Sequence, residues 1–164
     1  MKNIKTYCWK ISSPIGRIYI LADNRYLRAI SFSDNRQSAA DPDDEIIFAP
    51  NLIIQQAAEQ LRQYFARKRT TFNLPITFTG TEFQCKTWQF LLTIPYGETR
   101  SYLQQARAIG NPKAVRAVGR ANGLNPIAIV VPCHRVIGKS GKLTGYAGGL
   151  KKKEFLLNLE RKIA

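Results

Sequence analysis

The stretch Ser101-Tyr102-Leu103-Gln104-Gln105-Ala106-Arg107-Ala108-Ile109-Gly110-Asn111-Pro112 holds two helix starts around one turn. Ser101 and Gln104 have capping-box spacing, in which a hydroxyl and an amide three residues on satisfy each other's backbone N–H groups. A short helix is predicted there, fading at Ile109-Gly110. Asn111-Pro112 supplies an N-cap followed by proline at a first helical position. It predicts a second helix from about Pro112 to Asn122, with Gly123 as a left-handed stop. Two short helices joined by a tight Gly-containing turn make a helix-turn-helix. Upstream, Thr81 with Gln84 repeats the capping spacing and opens a helix carrying Phe83, Trp88, Phe90, Leu91 and Leu92, closed by the turn Ile94-Pro95-Tyr96-Gly97. Downstream, Ile127 to Val131 reads as a short buried strand. A Gly-rich loop, Gly145 to Gly149, and a last helix from Leu150 to about Lys162 follow.

The first half has a different texture. Tyr7 to Ile11, Ile15 to Leu21 and Tyr26 to Phe32 are rich in aromatic and β-branched residues and are separated by turn residues, predicting an antiparallel meander. Asp34 to Pro50 is acidic and bounded by proline, as a loop would be. Asn51 to Lys68 reads as a helix with Leu52, Ala58, Leu61 and Phe65 facing inward. Thr70 to Gly80, broken at Pro75, connects to the helical half. The expected class is α+β: a small N-terminal α/β domain with an antiparallel sheet over residues 1–79, and a mostly helical domain with the helix-turn-helix over 80–164.

Charge divides the chain along the same line. The formal net charge is +14, and Phe83 to Lys153 carries twelve Lys or Arg residues against one acid, Glu98. The first eighty residues carry eleven basic and seven acidic side chains. A one-sided basic surface suits a polyanion, nucleic acid first, or is simply a solvated cationic face. No segment joins Lys/Arg to a continuous bulky apolar face, and the most apolar run is five residues between prolines, so no membrane partner is expected. With no signal-peptide pattern in Met1 to Lys10, the expected compartment is the cytoplasm. Three well-separated cysteines, Cys8, Cys85 and Cys133, argue for thiols over a disulfide framework.

Candidate chemistry concentrates in the basic half. On the second helix Arg116 and Arg120 lie one turn apart, Lys113 precedes them, and the small residues Ala114, Ala117, Gly119 and Ala121 leave it slim enough to approach a groove. Pro132-Cys133-His134-Arg135 follows the apolar run. A thiol there is either a plain buried cysteine or a nucleophile whose thiolate His134 and Arg135 favour. His134 is the only histidine, so any imidazole base must be this one. On extended backbone it would face away from Cys133, making a bridging water more plausible than direct contact. An orienting acid would come from Glu82, Glu98, Glu154 or Glu160. Zinc ranks low, since the soft ligands have no C-x-x-C spacing. A cysteine hydrolase explains the thiol but leaves the basic helices unexplained.

These residues together resemble the O6-alkylguanine-DNA alkyltransferase family. The resemblance runs through Phe83 to Glu160 and rests on Ile94-Pro95-Tyr96-Gly97-Glu98-Thr99, Ser101-Tyr102, Asn111-Pro112, Asn125-Pro126, Pro132-Cys133-His134-Arg135-Val136 and Gly145-Tyr146-Ala147-Gly148-Gly149-Leu150. It implies a ribonuclease-H-like N-terminal domain, a partner in double-stranded DNA containing O6-alkylguanine, no cofactor, no metal, and a monomer in solution. Cys133 would be the alkyl acceptor and His134 a water-mediated base oriented by Glu160. Asn125 would brace the active-site turn. Tyr102 would hydrogen-bond guanine N3 and protonate the leaving base, and Arg116 would enter the base stack. Arg120 and Lys113 would add DNA contacts. Cys133, Val136, Tyr146, Ala147 and Lys153 would line the base pocket, with Ala147 standing where serine is frequent. A non-catalytic lesion-binding protein and an operator-specific regulator are the alternatives. The acceptor cysteine speaks against the first, and the lack of a cysteine-rich sensor module against the second.

Overall fold

A computed structural model describes residues 4–34 and 40–161. The chain divides into two compact units, Met1–Phe78 and Thr79–Ala164.

In the first unit, β1 (Lys5–Ser13), β2 (Gly16–Ala22) and β3 (Leu27–Ser31) form the antiparallel meander. The β1–β2 turn is tight because Gly16 takes φ +104°. The next turn is held by Asp23, whose Oδ1 accepts from the amides of Arg25 and Tyr26, each at 2.7 Å, while Oδ2 accepts from Arg28 at 2.8 Å. Where a loop was expected over Asp34 to Pro50, Glu45–Phe48 is a strand, β4, parallel to β1 at the sheet edge. The sheet order is β3-β2-β1-β4. Its Ile46-Ile47 pair is too short to show a period beside the acids at Asp41, Asp43, Asp44 and Glu45. Positions 35–39 of that segment lie outside the described residues.

Helix α1 (Leu52–Phe65) is capped by Asn51, whose side chain accepts from the Ile54 amide, and packs on β1, β2 and β3. Its buried residues are Ile53, Ile54, Ala57, Leu61 and Tyr64. Of the expected stripe only Leu61 is central. At 100° per residue Leu52 falls on the far side of the helix, and it is 68% exposed. Thr70 to Gly80 is irregular, with one parallel bridge from Ile76 to Leu27.

The second unit holds α2 (Glu82–Leu91), β5 (Arg100–Ser101), α3 (Tyr102–Ala108), α4 (Val115–Gly123), β6 (Val136–Ile137) and α5 (Leu150–Glu160). Both capping boxes, Thr81/Gln84 and Ser101/Gln104, are formed in both directions. Helices α2, α3 and α4 are tied by a buried amide pair. Gln105 Nε2 donates to Asn122 Oδ1 at 3.0 Å and to Thr87 O at 3.2 Å, and Asn122 Nδ2 returns a bond to Gln105 Oε1 at 2.7 Å. Trp88 Nε1 donates to Ala121 O at 2.8 Å. Such a network is fully satisfied only in one packing arrangement, so it fixes the angle between these helices.

Three local expectations fail here. Helix α4 starts at Val115, not Pro112, because the Ala114 amide bonds Asn111 O at 3.0 Å and closes a turn over 111–114. Lys113 therefore sits in that turn, exposed, and not on the helix. Gly123 stays helical and Leu124 follows as the C-cap. Ile127 to Val131 is buried but is a turn: Ile129 has φ +72°, and the Val131 amide reaches back to Ile127 O at 3.0 Å. Periodicity cannot distinguish five apolar residues in a strand from five in a buried turn.

Gly97 shows what the turn before β5 requires. It has φ +79°, and a Cβ there would lie 3.0 Å from the Glu160 backbone oxygen, whereas Gly110, at φ +82°, has open space. Gly110→Ala should cost about 1 kcal/mol, the conformational penalty alone. Gly97→Ala should cost about 2–3 kcal/mol, because it also displaces the end of α5. Denaturant unfolding of the two variants checks this; equal losses would contradict it.

Candidate active site

The segment leading to Cys133 is shaped by Asn125. Its Nδ2 donates to Val131 O at 2.7 Å and its Oδ1 accepts from the Ile127 amide at 3.0 Å. One side chain thus holds both ends of the turn in which Ile129, a β-branched residue, takes a left-handed conformation that normally costs of order 1–3 kcal/mol. The chain then enters a 3-10 turn, Cys133–Arg135, started by Pro132 and closed by the Arg135 amide on Pro132 O at 3.0 Å. This corrects the extended backbone considered for Cys133 and His134. Cys133 stays half-buried, while His134 and Arg135 are buried.

Helix α5 brings Glu160, 1% exposed, against the turn. His134 Nε2 lies 2.7 Å from Glu160 Oε2. Arg135 Nε donates to Oε1 at 2.7 Å and Nη2 to Oε2 at 3.1 Å, while Nη1 reaches Ile94 O at 2.7 Å. The Gly97 amide makes a longer contact, 3.4 Å, with Oε1. Burial works to raise the Glu160 carboxyl, but the His134 hydrogen bond and charge and then Arg135 outweigh it and hold the pKa at about 2. The carboxylate can only accept, so Nε2 carries the imidazole proton. Burial pushes the His134 pKa below its ordinary value, with Glu160 opposing. The ring is therefore neutral near pH 7, and its Nδ1 is a buried lone pair without a hydrogen-bond partner among the described residues.

The thiol differs from its sequence-based reading. Burial raises the Cys133 pKa above its ordinary value; Asn125 hydrogen bonding and the Lys153 charge pull it only part of the way back. Arg135 does not serve as its counter-ion, because its guanidinium is committed to Glu160 and Ile94 O. The resting sulfur is a neutral thiol.

A second cluster surrounds Tyr102. Its hydroxyl donates to Thr144 O at 2.8 Å, and its ring lies 3.8 Å from where a Cβ on Gly119 of α4 would stand. Lys153 is fully buried, with Nζ 2.9 Å from Thr144 O, 3.1 Å from Gly145 O and 3.4 Å from Tyr102 Oη. Burial lowers its pKa to about 8, with Cys133 acting in the opposite direction. Strands β5 and β6 run parallel, pairing Ser101 with Ile137, and so set the start of α3 beside the chain leaving the Cys133 turn. Val136 is buried, Tyr146 half-buried and Ala147 exposed, in a loop closed by the Gly149 amide on Tyr146 O at 2.9 Å. Burial, then the Cys133 and Glu160 charges, push the Tyr146 phenol well above its usual range. Arg116 and Arg120 are exposed on α4. Sequence reasoning missed the Ile94, Thr144 and Gly145 carbonyls and the structural duty of Arg135. The seven-residue spacing of Lys153 and Glu160, two helical turns, is the signal that they share a face of α5.

Residues 82–162 match the family model described as the DNA binding domain of 6-O-methylguanine DNA methyltransferase, and residues 6–78 match its ribonuclease-like domain. A Methanosarcina acetivorans methylated-DNA–protein-cysteine methyltransferase is 50% identical over 90% of this chain and 94% of its own. The chain belongs to this methyltransferase family. A Mycobacterium leprae member is 46% identical over 94% of this chain and 92% of its own. Among solved structures, a Mycobacterium tuberculosis O6-methylguanine methyltransferase superposes with a TM-score of 0.82 at 45% identity, covering 95% of this chain and 93% of that one. A Mycobacterium tuberculosis OGT in complex with DNA gives 0.84 at 45% identity, covering 94% and 92%. The α+β fold is thus that of the methyltransferase family. No helix among the described residues is long and apolar enough to cross a membrane.

The buried triad makes this fold acid-labile in a defined window. Glu160 titrates at about 2 in the folded chain against 4.5 ordinarily, so the unfolded chain binds more protons between those values. Stability present above pH ~4.5 is lost as the pH falls toward ~2, by about 3 kcal/mol. His134, also depressed, adds a loss that begins below its ordinary 6.5. Glu160→Gln should lower stability at pH 7 by about 3–5 kcal/mol, since it leaves the Arg135 charge buried without its carboxylate. It should also flatten the fall below pH 4.5. Calorimetry across pH 3–8 checks both; a Gln variant with the wild-type acid slope would refute the assignment.

Proposed function

We propose that this protein repairs DNA by transferring the alkyl group of an O6-alkylguanine to Sγ of its own Cys133, one lesion per molecule. The observation that carries the reading is a half-buried neutral thiol next to an imidazole whose Nε2 is fixed by Glu160, leaving Nδ1 as the only basic position. The nucleotide must be extruded, because Sγ cannot line up behind the alkyl carbon, opposite its C–O6 bond, while the base is stacked and paired. Arg116, exposed on α4, enters the stack behind that base. Arg120 on α4 and Lys113 in the preceding turn contact phosphates, reading backbone more than sequence.

Thiolate is the reactive form, and the resting sulfur is held protonated. His134 Nδ1 therefore takes the Cys133 proton, through a bridging water, as the base arrives. The imidazolium so formed is stabilised by Glu160. Sulfur attacks the saturated carbon, the C–S bond forms and the C–O6 bond breaks, leaving its electron pair on guanine. Tyr102 hydrogen-bonds guanine N3 and gives it the phenol proton. The tyrosinate then regains a proton from solvent as the His134 imidazolium releases one, so in sum the sulfur's proton is passed to the leaving base. Asn125 keeps the thiol in line by bracing its turn. Val136, Tyr146 and Ala147 border the base, Ala147 through its backbone. No group on this path restores the thioether to a thiol, so the protein is consumed. The reading includes a monomer acting in the cytoplasm without a cofactor.

Incubation with duplex DNA carrying O6-methylguanine should add one methyl, about 14 Da, to Cys133, and Cys133→Ser should gain none. A folded, DNA-binding wild type with an unmodified Cys133 would refute the proposal. Arg116→Ala should slow repair in duplex DNA about tenfold or more, since part of the unstacking cost is no longer offset. It should leave reaction with a free alkylated base within about twofold. Single-turnover kinetics on both substrates decide it, and equal losses would remove Arg116 from the stack.

A further inference from the structure

Among the described residues Lys153 is the only buried lysine, and the reaction above gives it no bond to make or break. Its three N–H donors match three acceptors: Thr144 O, Gly145 O and Tyr102 Oη. Tyr102 has a single hydroxyl proton, which it gives to Thr144 O at 2.8 Å. Thr144 O thus accepts two bonds, one from each residue, which saturates its lone pairs. A phenol with one proton cannot donate to Thr144 and to a base nitrogen together. The arrival of a base must therefore be an exchange of acceptors.

We propose that the Tyr102–Thr144 hydrogen bond is a latch of the DNA-free protein, and that Lys153 is the positioning residue that holds the Thr144 and Gly145 carbonyls in place once Tyr102 turns to the base. The inference deepens the proposed function and rests on its assignment of Tyr102 to guanine N3. Thr144 and Gly145 are exposed, so without a fixed donor their carbonyls would turn to water and carry the loop away from Tyr102. Lys153 is anchored from the opposite side, rooted in the first turn of α5 with its amide on Gly149 O at 3.3 Å. Gly145 takes φ +57°, a left-handed backbone that favours glycine, while a Cβ there would be in ordinary contact, 4.0 Å, with Tyr102 Oη. The ammonium ion, with a pKa of about 8, is mainly charged near pH 7, and the groups around it are Tyr102 on α3 and Cys133 and His134 on the 3-10 turn.

Amide hydrogen exchange tests the latch at Gly149, whose N–H is bonded to Tyr146 O within the loop, and at Gly138 and Gly141, bonded in the turn over 138–142 that leads into it. In the free protein, Tyr102→Phe and Lys153→Met should each speed exchange about fivefold to tenfold, the worth of one net hydrogen bond. Lys153→Arg should restore much of the protection. In saturating duplex DNA carrying O6-methylguanine, with Cys133→Ser throughout to hold the complex, Tyr102→Phe should change exchange less than twofold. Lys153→Met should still speed it severalfold. Equal effects of Tyr102→Phe in free and bound protein, or no effect of Lys153→Met when bound, would overturn the latch. Should Lys153→Met not fold, the free-versus-bound comparison of Tyr102→Phe decides alone. Methyl transfer by the intact Cys133 protein, read separately by mass, distinguishes failure of the repair reading from failure of the latch.

Discussion

The second unit depends on one carboxylate. Glu160 is buried, and a buried charge without partners would cost several kcal/mol. It accepts from His134, twice from Arg135 and, at longer range, from the Gly97 amide. These donors come from the 3-10 turn and the turn before β5, and Glu160 itself stands at the end of α5. The same charge that selects the imidazole tautomer thus joins three segments distant in sequence. Arg135 extends the joint to Ile94 O, and its guanidinium lies 5.7 Å from the centre of the Tyr96 ring. Chemistry and architecture cannot be separated at this position.

The electrostatics also divide the work differently from a standing thiolate. A permanently ionised sulfur would react with any alkylating molecule that reached it. Burial instead keeps Cys133 protonated, and burial likewise keeps the neighbouring His134 neutral. On the proposed mechanism, nucleophilicity is expressed only when a substrate completes the proton path. For a protein that is spent by a single reaction, restraint in the resting state matters as much as speed.

How much of this was legible in the sequence follows from the range of each interaction. The two capping boxes are local, side chain to backbone three residues away, and the sequence states them outright. The three meander strands are legible for a similar reason, since alternation and turn residues lie within a few positions of one another. Strand β4 is not, because four residues at an edge owe their form to pairing with β1, forty positions earlier in the register of Lys5 with Glu45. The Ile129 turn is hidden because left-handed backbone at a β-branched residue contradicts local preference and is imposed by Asn125 from outside. At the site, Cys133, His134 and Glu160 could be named from the family resemblance. The commitment of Arg135 to Glu160 and the burial that raises the thiol pKa appear only when the helices are placed.

Helix α5 carries Lys153 and Glu160 on one face, and it follows Cys133 in the chain. During synthesis the thiol therefore emerges from the ribosome before the carboxylate that fixes its histidine and before the ammonium that binds the Thr144 and Gly145 carbonyls. A nascent chain that has released Cys133 but not α5 holds an ordinary cysteine beside an unoriented imidazole. On the proposed mechanism, the order of translation therefore completes the proton path from Cys133 last.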